Sequence, residues 1–192
     1  MVECKSALLL ERFIRGMKIF KKDAYEAAME QAYADALKGK SVELDNFDRE
    51  HASKAIRFML SKARKKAVLL CHRLAVDVYA NRAMLDALKA ALARGVKLEV
   101  YIRSRVADSS LFCDILAMHN IPVHADMDAS SEVRNMGDFI LVDADSADCR
   151  EAPCMLRKEK DAQHRSGRVF FGYSSMCDQV KGWAKTLERC AV

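Results

Sequence analysis

The segment Ser130 to Asp148, SSEVRNMGDFILVDADSAD, runs a short apolar stretch directly into a cluster of aspartates. Carboxylates at the end of a buried strand can attack phosphorus or share a divalent cation, and Asp143 and Asp145 stand one residue apart there. The same letters also spell a solvated turn built by Asp145, Ser146 and Asp148, and that is the commoner meaning of such a cluster. Other residues capable of chemistry lie upstream. His72 and Arg73 follow the apolar run Ala67 to Cys71, and Arg103 and Arg105 follow the next such run, VKLEVYI. Ligands of open α/β sheets bind beyond strand ends, so these side chains together would form a basic, phosphate-sized cradle. Cys149, Cys154, His164 and Cys177 offer zinc-ligand chemistry, but their spacing is irregular and CxxC is absent. Neither a metal nor another cofactor is expected.

Strands and helices in alternation must hold these groups. Asp48 is placed to cap a helix with apolar Ala52, Ala55, Ile56, Met59, Leu60 and Ala63 on one face, and AVLLC then reads as a strand buried on both sides. Asn81 opens a helix with Leu85, Leu88 and Leu92 inward, and Gly95 is suited to end it. The strand VKLEVYI follows, then a helix around Leu111 to His119, the short strand IPVHA, and DFILVD. CMLRKE and RVFFGY read as later strands joined by a polar loop from Lys160 to Gly167. SMCDQVKGWAKTLERC closes the chain as a helix with Val180, Trp183 and Leu187 inward. Such alternation describes a layered α/β domain with parallel pairs.

Ahead of this pattern, residues 1–45 read as a helical extension. ALLLERFIRGMKIF and DAYEAAMEQAYADALKGK each carry an apolar face, and the second begins with a capping-box spacing from Asp23 to Glu26. The small residues of the second face suit packing within the chain, across a dimer or against a protein partner. The α/β domain is expected over residues 46–192.

The chain has 192 residues, half of them hydrophobic, enough for a packed core. A net charge of +5 permits nucleic acid or an acidic partner without demanding either. Seven scattered cysteines suggest reduced thiols, and with no signal-peptide pattern and no membrane-length apolar run a cytoplasmic, non-membrane protein is expected.

Four strings, in order, resemble the phospholipase D-like superfamily. ASKAIRFMLSKARKKAVLLCHRL is similar to its opening helix and first strand, and MLDALKAALARGVKLEVYI to its helix, Arg-Gly-Val turn and second strand. DFILVDADSAD resembles its central catalytic strand, and RVFFGYSS the following strand with its Gly-Ser turn. The match covers roughly Asp48 to Leu187 and implies a mixed sheet flanked by helices. Active members carry His-x-Lys followed after four residues by Asp: the His attacks phosphorus, the Lys steadies phosphate oxygens, and the Asp orients the His. With Asp143 at the Asp position, Met136 stands where the His belongs and Asp138 where the Lys belongs. A thioether cannot attack in that way, and a carboxylate repels phosphate. Ser174 and Ser175 keep the turn's hydroxyls, but the Asn usual beyond them is missing. The Asp-x-Asp pair also resembles the first motif of haloacid dehalogenase-like phosphatases, although that strand normally opens its domain and Asp145 stands late in this chain.

The expectation is therefore a catalytically degenerate phospholipase D-like module that binds a phosphate-rich ligand, nucleic acid above all. Two alternatives stand beside it: a phosphodiesterase or nuclease with its nucleophile moved elsewhere, His72 being the first candidate, and a regulatory subunit that binds protein through the N-terminal helices. Active family members place two motif copies face to face, so a single copy implies a homodimer.

Overall fold

In a computed structural model of the chain, the described residues are 24–46, 48–104, 110–143, 154–161, 164–172 and 175–191. A first helix, α1, covers residues 24–37. It is followed by β1 (Val42–Asn46), α2 (Arg49–Lys62), β2 (Lys66–Cys71), α3 (Val76–Tyr79), α4 (Arg82–Ala93) and β3 (Lys97–Ile102). Then come α5 (Ser110–Met118), β4 (Val123–His124), a 3-10 turn (Met127–Ala129), α6 (Ser131–Arg134), β5 (Asp138–Val142), β6 (Cys154–Asp161), β7 (His164–Phe171) and α7 (Ser175–Cys190).

The helix boundaries follow from local chemistry. Asp48 caps α2 by accepting from the His51 amide at 2.7 Å, and Asn81 caps α4 by accepting from the Met84 amide at 3.0 Å. Caps of this kind stabilise by about 1 kcal/mol each. Gly95 ends the α4 region at φ 81, a left-handed conformation that glycine adopts at least cost. The short α3, α6 and 3-10 turn carry too few residues to show a period, and the sequence gives no sign of them.

All strands join one sheet in the order β1-β7-β6-β5-β2-β3-β4. β2, β3 and β4 are parallel, with α3 and α4 bridging the first pair and α5 the second. From β5 onward the pairing turns antiparallel, because β5 runs against β2, β6 against β5, β7 against β6 and β1 against β7. β6 and β7 continue through most of the segment expected as a polar loop, pairing as far as Asp161 with His164. Alternate side chains bury on the two faces. Leu69, Val100, Ile140 and Phe171 enter the larger core with α1, α2, α4 and α5, while Val68, Leu70, Phe139 and Leu141 enter a smaller core under α7.

Residues 24–46 are part of this packing. Met29, Ala32 and Ala36 of α1 are at most 3% exposed and belong to the larger core. Tyr33 meets Phe58 and Phe171 edge-on, with ring centroids 6.0 and 6.4 Å away. β1, which straddles the boundary expected at residue 45, forms a sheet edge by pairing with β7. The small-residue face of α1 therefore packs within the chain. The preceding apolar face, and Asp23 as its successor's cap, lie outside the described residues.

Candidate functional site

The register sorts the candidate residues to two opposite edges of the sheet. Cys71 at the end of β2 lies level with Ile102 at the end of β3, and Leu70 pairs with Phe139 of β5. His72, Arg73, Arg103, Met136 and Asp138 therefore share the edge beyond the carboxyl ends of β2 and β3. The sequence-derived cradle is assembled to that extent. Arg105 lies outside the described residues, as do Ser174 and the side chain of Ser175.

At this edge the cations are already engaged. Arg103 donates from Nη1 to the Met136 carbonyl at 2.8 Å and from Nη2 to Asp138 Oδ1 at 2.7 Å. Its Nε stands 3.9 Å from Asp128 Oδ1. The Arg103 and Asp138 side chains are 12% and 16% exposed, so solvent screens this pair little. Met136 is 5% exposed and is counted in the smaller core. Among the described residues of this edge, Asp138 and Asp128 stand beside Arg103, and Arg134 donates to the Asp128 carbonyl. The described part of the expected cradle is thus the Arg103–Asp138 ion pair beside two exposed residues, His72 and Arg73.

His72 has no carboxylate within hydrogen-bond reach among the described residues, so nothing there orients its imidazole as a nucleophile requires. Cys71, next to it, is fully buried. Burial, followed by the charge of Asp138, pushes its thiol well above the usual range, so it stays protonated and unreactive.

Asp143 sits at the other end of β5, about 16 Å from Asp138 at the usual strand rise. Its backbone adopts φ 52, a left-handed conformation that Asp tolerates better than most residues. Its carboxylate accepts from the amides of Arg64, Lys65 and Lys66 at 2.9, 2.8 and 2.9 Å. The aspartate that ends the apolar run is therefore the clamp of the α2–β2 turn. Asp145, the second member of the Asp-x-Asp pair, lies outside the described residues.

Gly172, in the string that resembles the family's Gly-Ser turn, also falls at this second edge. β6 comes between β5 and β7, so the direction is reversed once more than a single following strand would allow. A Cβ on Gly172 would lie 2.4 Å from the Lys40 carbonyl oxygen, so close approach of the α1–β1 connection requires glycine there. Gly172 thus stands at the edge opposite Met136 and Asp138.

Among the described residues no group of three His, Cys, Asp or Glu side chains could hold a metal ion. Cys149 and the side chains of Cys154, His164 and Cys177 lie outside them. No described helix is long and apolar enough to cross a membrane.

The mixed sheet, with its parallel β2–β4 half, antiparallel β5–β7 half and flanking helices, is the phospholipase D-like fold. Nuc from Salmonella typhimurium, a phospholipase D family member, is similar at 14% identity and a TM-score of 0.52, over 77% of this chain and 93% of Nuc. TrmBL2, an archaeal chromatin protein whose structure shows a novel mode of DNA binding, is similar at 15% identity and a TM-score of 0.53, over 95% of this chain and 69% of TrmBL2. No protein-family model and no curated protein matches the chain.

Proposed function

We propose that the protein is a non-hydrolytic phospholipase D-like module that binds nucleic acid through its phosphates. The observation that carries this reading is the Arg103–Asp138 pair. The position that would bring a lysine to the phosphate brings a carboxylate, and that carboxylate holds the half-buried Arg103. A buried methionine at the His position removes the attacking group. The two motif positions thereby supply neither nucleophile nor phosphate-steadying cation. The nucleic-acid part draws on the DNA-binding neighbour of the same fold and on the chain's net charge of +5.

A nuclease with a relocated nucleophile is the weaker reading, since the described surroundings of His72 supply no orienting acid. Binding is tested by titrating labelled single- and double-stranded DNA and RNA across a salt series. The expected result is a shift at low salt whose affinity falls steeply as salt rises, because each phosphate contact releases counterions. Unshifted probes at about 50 mM salt, where phosphate-driven binding is strong, would reject it.

A further inference from the structure

Among the described residues, the edge beyond β2 and β3 commits Arg103 to Asp138, so a polyanion gains little from it there. The opposite edge differs. A groove of about 670 Å³ opens between α7 and the first residues of β2 and β3, and Lys66, Lys97, Lys181 and Lys185 stand in its lining with Glu99 and Glu188. The α2–β2 turn borders it and adds the exposed Arg64 and Lys65, since the Lys97 amide donates to the Lys65 carbonyl at 2.8 Å. With the clamping Asp143 included, six cations face three carboxylates among the described residues.

Those carboxylates are committed to the protein. Glu99 binds Lys97 at 2.8 Å and Lys66 at 3.1 Å, Glu188 binds Lys66 at 2.5 Å, and Asp143 is held by three amides. Lys66 is 18% exposed and acts as the fixed centre of the network, whereas Lys97 is 72% exposed and Lys185 is exposed on α7.

We infer that this α7–β2–β3 groove, rather than the former catalytic edge, takes the nucleic-acid backbone. The inference rests on the reading above and supplies its interface. Two features narrow the ligand. Among the described residues the lining holds no aromatic side chain to stack bases, so contact is to phosphates, largely independent of sequence. The apolar members Val68, Leu141 and Ala184 are 3%, 1% and 7% exposed, so nothing apolar projects for insertion into a lipid surface.

Two charge-matched double variants test it on a labelled DNA duplex in about 100 mM salt, where phosphate contacts still contribute strongly. One is Lys97→Glu with Lys185→Glu, in the groove. The other is Arg82→Glu with Lys89→Glu, on the exposed face of α4. The groove variant is expected to bind at least about tenfold more weakly, with a shallower salt slope, and the α4 variant to stay within about threefold of the parent. Equal losses in both would show a net-charge effect and overturn the groove while leaving nucleic-acid binding intact. Failure of the unaltered protein to bind would overturn the functional reading itself. Lys181→Gln with Lys185→Gln removes charge without placing a new carboxylate beside Glu99. It keeps the test decisive if the first groove variant fails to fold: unchanged affinity in it overturns the groove, and weakened binding supports it.

Discussion

Asp143 illustrates how one residue type in one place can carry two meanings. An aspartate at the end of an apolar run is legible in the sequence, but its partners, the amides of Arg64 to Lys66, lie nearly eighty positions earlier and only the β2–β5 register brings them near. The clamp reading gives a graded expectation. Asp143→Asn keeps the left-handed tolerance and one acceptor oxygen, whereas Asp143→Ala loses all three hydrogen bonds and is strained at φ 52. Chemical denaturation should show the alanine variant less stable by about 2–4 kcal/mol and the asparagine variant by about half that. Equal stability of all three proteins would remove the clamp. Arg103 is the converse case. Its position after a strand marked it as a ligand cation, and nothing local to it reveals that Asp138, 35 residues away in sequence, claims it.

The regular elements were legible because their signals are local. Apolar runs, the caps Asp48 and Asn81 and the stop at Gly95 each act within a few residues. The β6–β7 extension was not, because RKEKDAQHRSGR is polar throughout and only strand pairing makes it regular. The string RVFFGYSS was legible as a strand and a turn, but not its direction in the sheet, which depends on that extra strand. Gly172 and Gly95 separate two costs at this scale. Both have φ 81, but only at Gly172 would a Cβ meet backbone. Gly95→Ala should therefore lose about 1 kcal/mol, and Gly172→Ala roughly 2–4 kcal/mol as the α1–β1 connection is pushed from β7. Thermal melting compares them directly, and equal losses would refute the close approach.

The network joining β2, β3 and α7 has its own pH signature. Burial pushes the Glu99 carboxyl up, but hydrogen bonds from Lys97 and Lys66 outweigh it and hold the group below the usual range. A carboxylate lowered on folding stabilises fully above its ordinary value near about 4.3 and loses that contribution as pH falls through the folded value. Burial lowers Lys66, but the bonds to Glu188 and Glu99 leave it raised, so its contribution is present below about 10.4 and fades above. Replacing Glu99 by Gln should cost about 1–2 kcal/mol at neutral pH, and the gap from the parent should narrow below about pH 4. A gap independent of pH would mean that shape rather than charge is lost.

Taken as a whole, the chain has a phospholipase D-like sheet whose two edges differ in how their charges are committed. Among the described residues, Arg103 and Asp138 pair beside a buried Met136 beyond β2 and β3, and four lysines line the groove at the far side of the same strands. The alternation of strands and helices announced that sheet, and Met136 and Asp138 were legible as departures from the motif the resemblance implies. The basic groove stayed hidden because its lysines come from three separate stretches of sequence. The most direct measurement is prolonged incubation of end-labelled DNA and RNA with saturating protein, with Mg²⁺ or with EDTA, followed by denaturing electrophoresis. The account predicts oligonucleotides of unchanged length under every condition in which they are bound. Shortened products made by the parent protein and absent with His72→Ala would contradict it and return catalysis to the edge beyond β2 and β3.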